Sequence, residues 1–411
     1  MKLFDTVAIL LTVAALFSYI NYKYGKLPRT ISLMIMTLIV SFAMIILKFF
    51  QIIDEQQIKL IVQSIDFNKT LLEWMLCFLL FAGSIHVNVN ELIKYKWSIG
   101  IFSTISLLIS TILIGVITHY FLLLTGINIS FIYCLLFGSL ISPTDPIAVM
   151  GILKKAGLPK DLEINIVSES LFNDGVGVVL FVVLLNSINS GNINNIDLIS
   201  VSKLFFQEAI GGSIFGLLLG LITYKTLKSI DDYQVEIMIT LAVVTGGYAL
   251  ASKLGISGPL AIIFSGLVIG NHGNKFDLSE KSREHLYLFW ELVDEILNAI
   301  LFILIGIEVL VLKVHSSFVI PALVSIPIVL LARFISIGIP IKIFKKLEKS
   351  FDSNSTKIMT WAGLRGGLAV ALALSINSGY ERDLILTMTY SIVIFSIIVQ
   401  GLTIKYLIKK D

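Results

Sequence analysis

The sequence predicts an all-α polytopic membrane protein with about thirteen transmembrane helices. It further predicts inverted repeats in which two interrupted helices cross. Three observations lead there. The first is composition: of 411 residues, 56% are hydrophobic and only 14% charged, and the mean hydropathy is +0.92. A soluble domain carries about 25% charged residues. The second is recurrence, because apolar runs of roughly the 17–25 residues that cross a bilayer fill the chain from end to end. The third is that two of these runs are broken by Pro or Gly around a charged residue.

The runs are 5–22, 31–50, 71–88, 97–124, 129–152, 164–186, 204–224, 234–252, 258–270, 287–312, 317–343, 357–377 and 384–406. The first follows Lys2 and could imitate a signal peptide. It leads into Asn21-Tyr22-Lys23-Tyr24-Gly25-Lys26 rather than a small-x-small cleavage site, so it reads as a retained helix. Run 258–270 is short, and 97–124 is long enough to tilt. Gly191 to Ile196 and Ser350 to Ser355 read as loop tips. Alternate loops differ sharply in basic residues. One set, including Lys23, Lys26, Arg29, Lys154, Lys155, Lys225, Lys281, Lys345 and Lys405, holds about 21; the other holds about 6. The positive-inside rule then expects the N-terminus outside and the C-terminus in the cytoplasm. The net charge of +3 thus reads as topology and does not suggest nucleic acid. Cys77 and Cys134 both lie in apolar runs and suggest neither a disulfide framework nor a metal site.

Charges within spans are costly, roughly 2.5–3.5 kcal/mol at a helix centre on the insertion scale. They occur here at Asp145, Glu169, Asp174, Asp294, Glu295, Glu308, Arg333 and Arg365. Asp294, Glu295 and Glu308 read as helix-end charges or helix–helix pairs. Asp145 and Asp174 sit in richer contexts. In Ser142-Pro143-Thr144-Asp145-Pro146, two prolines remove backbone donors, and unwound backbone at membrane depth must line a cavity or be covered by protein. Its carbonyls, the Thr144 hydroxyl and the carboxylate are hard oxygen donors that suit a small cation. In Glu169-Ser170-Leu171-Phe172-Asn173-Asp174-Gly175, Glu169 and Asn173 share one helix face, and Ser170 and Asp174 form the parallel pair.

The twelfth run holds Trp361-Ala362-Gly363-Leu364-Arg365-Gly366-Gly367. The two broken runs are seven helices apart, an odd offset, so they run in opposite directions. Interrupted helices at matching positions of oppositely oriented halves mark inverted-repeat secondary transporters. The facing helix ends carry partial charges that Asp145 and Arg365 can offset.

With these motifs the sequence resembles the monovalent cation:proton antiporter family, and within it the NhaP-type sodium/proton exchangers. The resemblance covers nearly the whole chain. It rests on Thr144-Asp145-Pro146, on Glu169 through Gly175, on Phe289-Trp290-Glu291 with Leu301 through Gly306, and on Gly363-Leu364-Arg365-Gly366-Gly367. It implies that Asp174 binds either the cation or a proton, with Thr144, Asp145, Ser170 and Asn173 shaping the site. Asp174, Thr144 and Ser170 would be the ligands of a monovalent cation. Asn173 before Asp174 matches the Asn-Asp form associated with electroneutral one-for-one exchange. Glu169 would pair with a basic residue, Arg333 first, and Arg365 would offset Asp145. The third run has apolar Phe81-Ala82-Gly83 where some relatives carry a carboxylate, which argues against an accessory acidic site there.

The resemblance further implies one transporter domain over 1–411. A moving core would lie mainly at 97–186 and 317–406, and a dimerisation scaffold mainly at 1–96 and 204–312. The protein is thus expected to be no enzyme, to need no cofactor, and to sit in a bacterial inner membrane as a homodimer. It would exchange sodium or lithium, or alternatively potassium, for protons. Two rivals from other classes are a cation channel and an intramembrane aspartyl protease built on Asp145 and Asp174. The channel would want symmetric rings of charges or carbonyls, and the protease a Gly-x-Gly-Asp context; the sequence has neither.

Overall fold

A computed structural model describes residues 3–50, 75–190, 198–272, 279–312, 315–347, 351 and 354–408. Every regular element among them is helical, and apart from the short helix Val89–Lys94 and a few single turns they make thirteen rods in chain order. These are α1 (Leu3–Ile20), α2 (Arg29–Phe49), α3 (Leu76–Ile85), α4 (Lys96–Leu124) and the half-helices α5a (Phe131–Ile141) and α5b (Ile147–Lys155). Then come α6 (Lys160–Asn189), α7 (Leu198–Leu227), α8 (Tyr233–Lys253), α9 (Gly258–His272), α10 (Glu280–Glu308) and α11 (Val319–Leu347). The half-helices α12a (Ser355–Ala362) and α12b (Gly367–Leu374) and α13 (Tyr380–Leu407) finish the chain.

Eight continuous helices are long and apolar enough to cross a bilayer, and the α12 pair, bent by 50°, makes a ninth. The remaining four rods miss that test among the described residues: the described parts of α3 and α9 are short, α5 is broken, and α10 carries too many charges. Two expected starts need correction. α7 begins at Leu198 rather than 204, and α10 at Glu280 rather than 287. Hydropathy sees only the apolar part of a helix. The first turns of α10 are polar, capped by the Ser279 side chain on the Ser282 amide, and helical all the same. The expected loop tip 191–196, the first residues of run 71–88, and positions 350, 352 and 353 of the loop tip 350–355 lie outside the described residues; Ser355 itself opens α12a.

Packing sorts the rods into two groups. α4, α5, α6, α11, α12 and α13 pack on one another, and α1, α2, α3, α7, α8, α9 and α10 form the other set. The groups meet along α6, which touches α3, α7 and α9, where α10 touches α12b, and where α2 touches α5b and the π turn of α13. α9 runs through the second group with Leu260, Ile262, Ile263 and Ile269 all buried. It can lie so close to α7 because Gly216 has no side chain: a Cβ there would sit 2.8 Å from the Ala261 Cα. Small residues at such contacts replace the hydrophobic driving force that lipid removes. Phe81 of α3 is fully buried against the Trp290 ring of α10, 4.5 Å between centroids. Both cysteines are buried and free.

The basic loops gather at one end of the bundle. There Lys160 reaches Glu91 at 2.7 Å and Lys154 reaches Glu163 at 2.9 Å, and Lys26, Lys155 and Lys405 surround one cavity.

Candidate ion-binding site

The two breaks cross. The Asp145 amide donates to the Leu364 carbonyl at 2.9 Å, so the extended pieces 142–146 and 363–366 pair backbone to backbone at the centre. The charges complement the four half-helix ends. Arg365, 2% exposed, donates from Nη1 to the Pro143 carbonyl at 3.2 Å and the Gly363 carbonyl at 3.3 Å. Both carbonyls lie just past the C-terminal, electronegative ends of α5a and α12a. The Asp145 carboxylate rests on Gly366, the N-cap of α12b: a Cβ at Gly366 would lie 2.5 Å from Oδ2. It also precedes the N-terminus of α5b. The acid thus faces N-terminal ends and the base faces C-terminal ends.

Each break is held by the helix that follows it. At the first, Ser170 of α6 donates its hydroxyl to the Thr144 carbonyl. Asn173 donates from Nδ2 to Thr144 Oγ1 at 2.9 Å and accepts from the Thr144 amide at 3.3 Å. At the second, Ser396 of α13 accepts the Arg365 amide at 2.9 Å, and Gln400 donates to the Trp361 carbonyl at 3.2 Å. Ser396 and Gln400 bound a π-helical turn, Ser396–Gln400, a distortion frequent at functional sites. Sequence reading missed both residues, since neither charge nor hydropathy signals a π turn.

Glu169 lies one turn before Asn173 on α6, and its carboxylate ion-pairs with Arg333 of α11; the side chains are 2% and 5% exposed. Arg333 also abuts the second break, because a Cβ at Gly363 would lie 3.0 Å from its Nε. Asp174 projects beside Ser170, half-buried. Its electrostatic neighbours are Asp145 and Arg365, and no hydrogen bond joins its carboxylate to another described residue. The structure therefore brings Thr144, Asp145, Glu169, Ser170, Asn173, Asp174, Arg333 and Arg365 into one cluster. Asp294 lies within electrostatic reach of Asp145. Glu295 ion-pairs with Arg29, and Glu308 sits at the opposite end with Arg382 and Tyr390 as its electrostatic neighbours.

Crossed, interrupted helices in oppositely oriented halves, with a carboxylate beside the crossing, define a secondary transporter that works by alternating access. The comparisons with known proteins narrow that class. The family described as "Sodium/hydrogen exchanger, transmembrane" matches residues 10–410, and the chain belongs to it. It is 44% identical to the Na(+)/H(+) antiporter NhaP of Pseudomonas aeruginosa, over 99% of this chain and 96% of that one. It is 33% identical to the Na(+)/H(+) antiporter NhaH of Halobacillus dabanensis, covering 94% and 93%. Its fold matches the sodium proton antiporter MjNhaP1 of Methanocaldococcus jannaschii with a TM-score of 0.74, at 20% identity over 99% of this chain and 98% of that one.

Proposed function

We propose that this chain exchanges sodium, or lithium, for protons across a bacterial inner membrane at the Asp174 carboxylate. The observation that carries the reading is the crossing itself. A carboxylate with no hydrogen-bonded partner among the described residues stands beside two breaks held by Arg365 on the Pro143 carbonyl, Asn173 on Thr144 and Asp145 against Gly366. Asp174 can then take a proton or a monovalent cation, but not both. Either one neutralises it, whereas the bare carboxylate is expensive to move through the bilayer centre. That rule alone couples the two fluxes without ATP or a cofactor. Ser170 and Thr144 would add oxygens to the cation's shell; Thr144 is already held in place by Asn173. Asn173 and Asp145 shape the pocket. Glu169 and Arg333 cancel within the core, so its net charge is set by the cargo. The Asn173-Asp174 order supports one cation per proton, an electroneutral cycle.

The two packing groups support a division of labour. Helices α4–α6 and α11–α13 would be the moving core, spanning roughly the expected 97–186 and 317–406. The rest would be the scaffold, through which two copies dimerise. The excess of basic residues in alternate loops supports a cytoplasmic C-terminus and an outside N-terminus. The cavity ringed by Lys26, Lys155 and Lys405 then faces the cytoplasm.

The test is dissipation of ΔpH in everted vesicles from an antiporter-deficient strain as sodium, lithium or potassium is added. A cation-dependent collapse that disappears in Asp174→Asn supports the exchanger and names its ion. No collapse with any cation, or an undiminished response in the variant, contradicts it. Cation flux indifferent to the proton gradient would instead mark a channel.

A further inference from the structure

The cavity at the basic end has a volume of about 890 Å³. Its bases come from four places: Lys26 before α2, Arg29 on α2, Lys155 on α5b and Lys405 near the end of α13. Its carboxylates, Glu291, Asp294 and Glu295, all come from α10. A cation entering past the bases therefore meets attraction along a single helix. Glu295 is engaged by Arg29 at the rim. Glu291, Asp294 and Asn298 remain, spaced i, i+3 and i+7 along one face.

The lower two residues are built into the wall. Asn298 is 4% exposed and its amide lies beside the Asp294 carboxylate one turn earlier, yet neither its Nδ2 nor the buried Asp294 Oδ1 makes a well-formed hydrogen bond among the described residues. Buried polar atoms are nearly always matched, and leaving one unmatched is costly. A carboxylate and a carboxamide one turn apart are an oxygen pair suited to a hard monovalent cation, since the amide turns its oxygen inward by a simple flip. Asp294 is also within electrostatic reach of Asp145 at the crossing.

We propose that Asp294 and Asn298 form a second monovalent-cation site on the scaffold helix, a waiting station between the cytoplasmic cavity and the Asp174 site. The proposal rests on the cation-exchange reading for the direction of traffic, and on the geometry of α10 for the site. Such a station raises the local concentration of the ion at one face only. It also restores, from a different helix, a scaffold carboxylate near the crossing that the apolar Phe81-Ala82-Gly83 of α3 does not supply.

The experiment has two arms on the full-length protein. In the first, equilibrium binding of radioactive sodium is measured on purified protein. Asp174→Asn retains weak binding that is lost on adding Asp294→Asn; no residual binding in Asp174→Asn, or binding indifferent to Asp294, overturns the proposal. In the second, Asp294→Asn is assayed in everted and right-side-out vesicles. The sodium KM rises about tenfold from the cytoplasmic face alone, while turnover at saturating sodium is kept. An equal rise from both faces, an unchanged KM or a loss of turnover overturns it. Should Asp294→Asn not fold, Asn298→Asp serves, with a lower cytoplasmic KM expected and no change as the contrary result. Sodium binding without any proton flux in the wild type would sink the exchange reading while leaving the site standing.

Discussion

The two broken helices reach the same geometry by opposite chemistry. α5 is broken by what its residues lack, since Pro143 and Pro146 have no amide hydrogen to continue the ladder. α12 is broken by what its residues permit, through Gly363, Gly366 and Gly367. The first break carries an acid and the second a base, each placed against helix ends of opposite polarity. Their supporting helices differ more tellingly. α13 holds its break with two neutral residues, Ser396 and Gln400. α6 does the same with Ser170 and Asn173, and adds Glu169 and Asp174 alongside. One repeat thus provides the anchor and the other the ion site, and the difference rests on the few residues of α6 that also carry carboxylates.

The comparison breaks most severely at its charges. Arg365→Met strips the donors from two buried carbonyls and removes a positive charge that neighbours Asp174, so a loss of ~3–5 kcal/mol is expected, read as a lower Tm in detergent, with transport abolished. Glu169→Gln or Arg333→Met alone strands a buried partner at a similar ~3–5 kcal/mol, whereas replacing both with Met recovers most of it. A double-mutant cycle on thermal unfolding checks that. Gly366→Ala drives a methyl against Asp145 Oδ2. Overpacking of this kind costs ~1–3 kcal/mol, and sodium-driven proton flux should fall further than stability does.

Smaller changes sharpen the contrast between the supporting helices. Ser396→Ala orphans the buried Arg365 amide at ~1–3 kcal/mol and should leave the sodium KM alone, while Ser170→Ala should raise it; both are read by flux titration. Pro146→Ala is the mildest. It restores an amide hydrogen at the N-cap of α5b, where the helix has no partner for it, so a change below ~1 kcal/mol is expected.

Much of this arrangement was legible in the sequence because its signals are local. Prolines three apart around Asp145, and glycines around Arg365, announce breaks wherever the chain goes, and Glu169, Ser170, Asn173 and Asp174 together on one apolar run announce a polar site. The pairing of Glu169 with Arg333 was implied by the resemblance to the antiporter family, and the two side chains do meet. What stayed hidden depends on distance. Ser396 and Gln400 reach the break only through a π turn, and Arg29 meets Glu295 from the far end of the chain. Asp294 read as a helix-end charge or a helix–helix pair, because nothing local shows which wall it faces. With the helix opening at Glu280, Asp294 falls well inside it, on the cavity wall beside Asn298.

The central claim is that one carboxylate serves two ligands in turn, and proton release on cation binding tests it most directly. Sodium is added to purified protein in weak buffer near the pH where transport is half-maximal, and released protons are counted. Because a ligand that requires a deprotonated group must displace its proton, the account predicts up to about one proton per chain for the wild type and none for Asp174→Asn. Release that persists undiminished in Asp174→Asn, or sodium binding without any release at all, would contradict it.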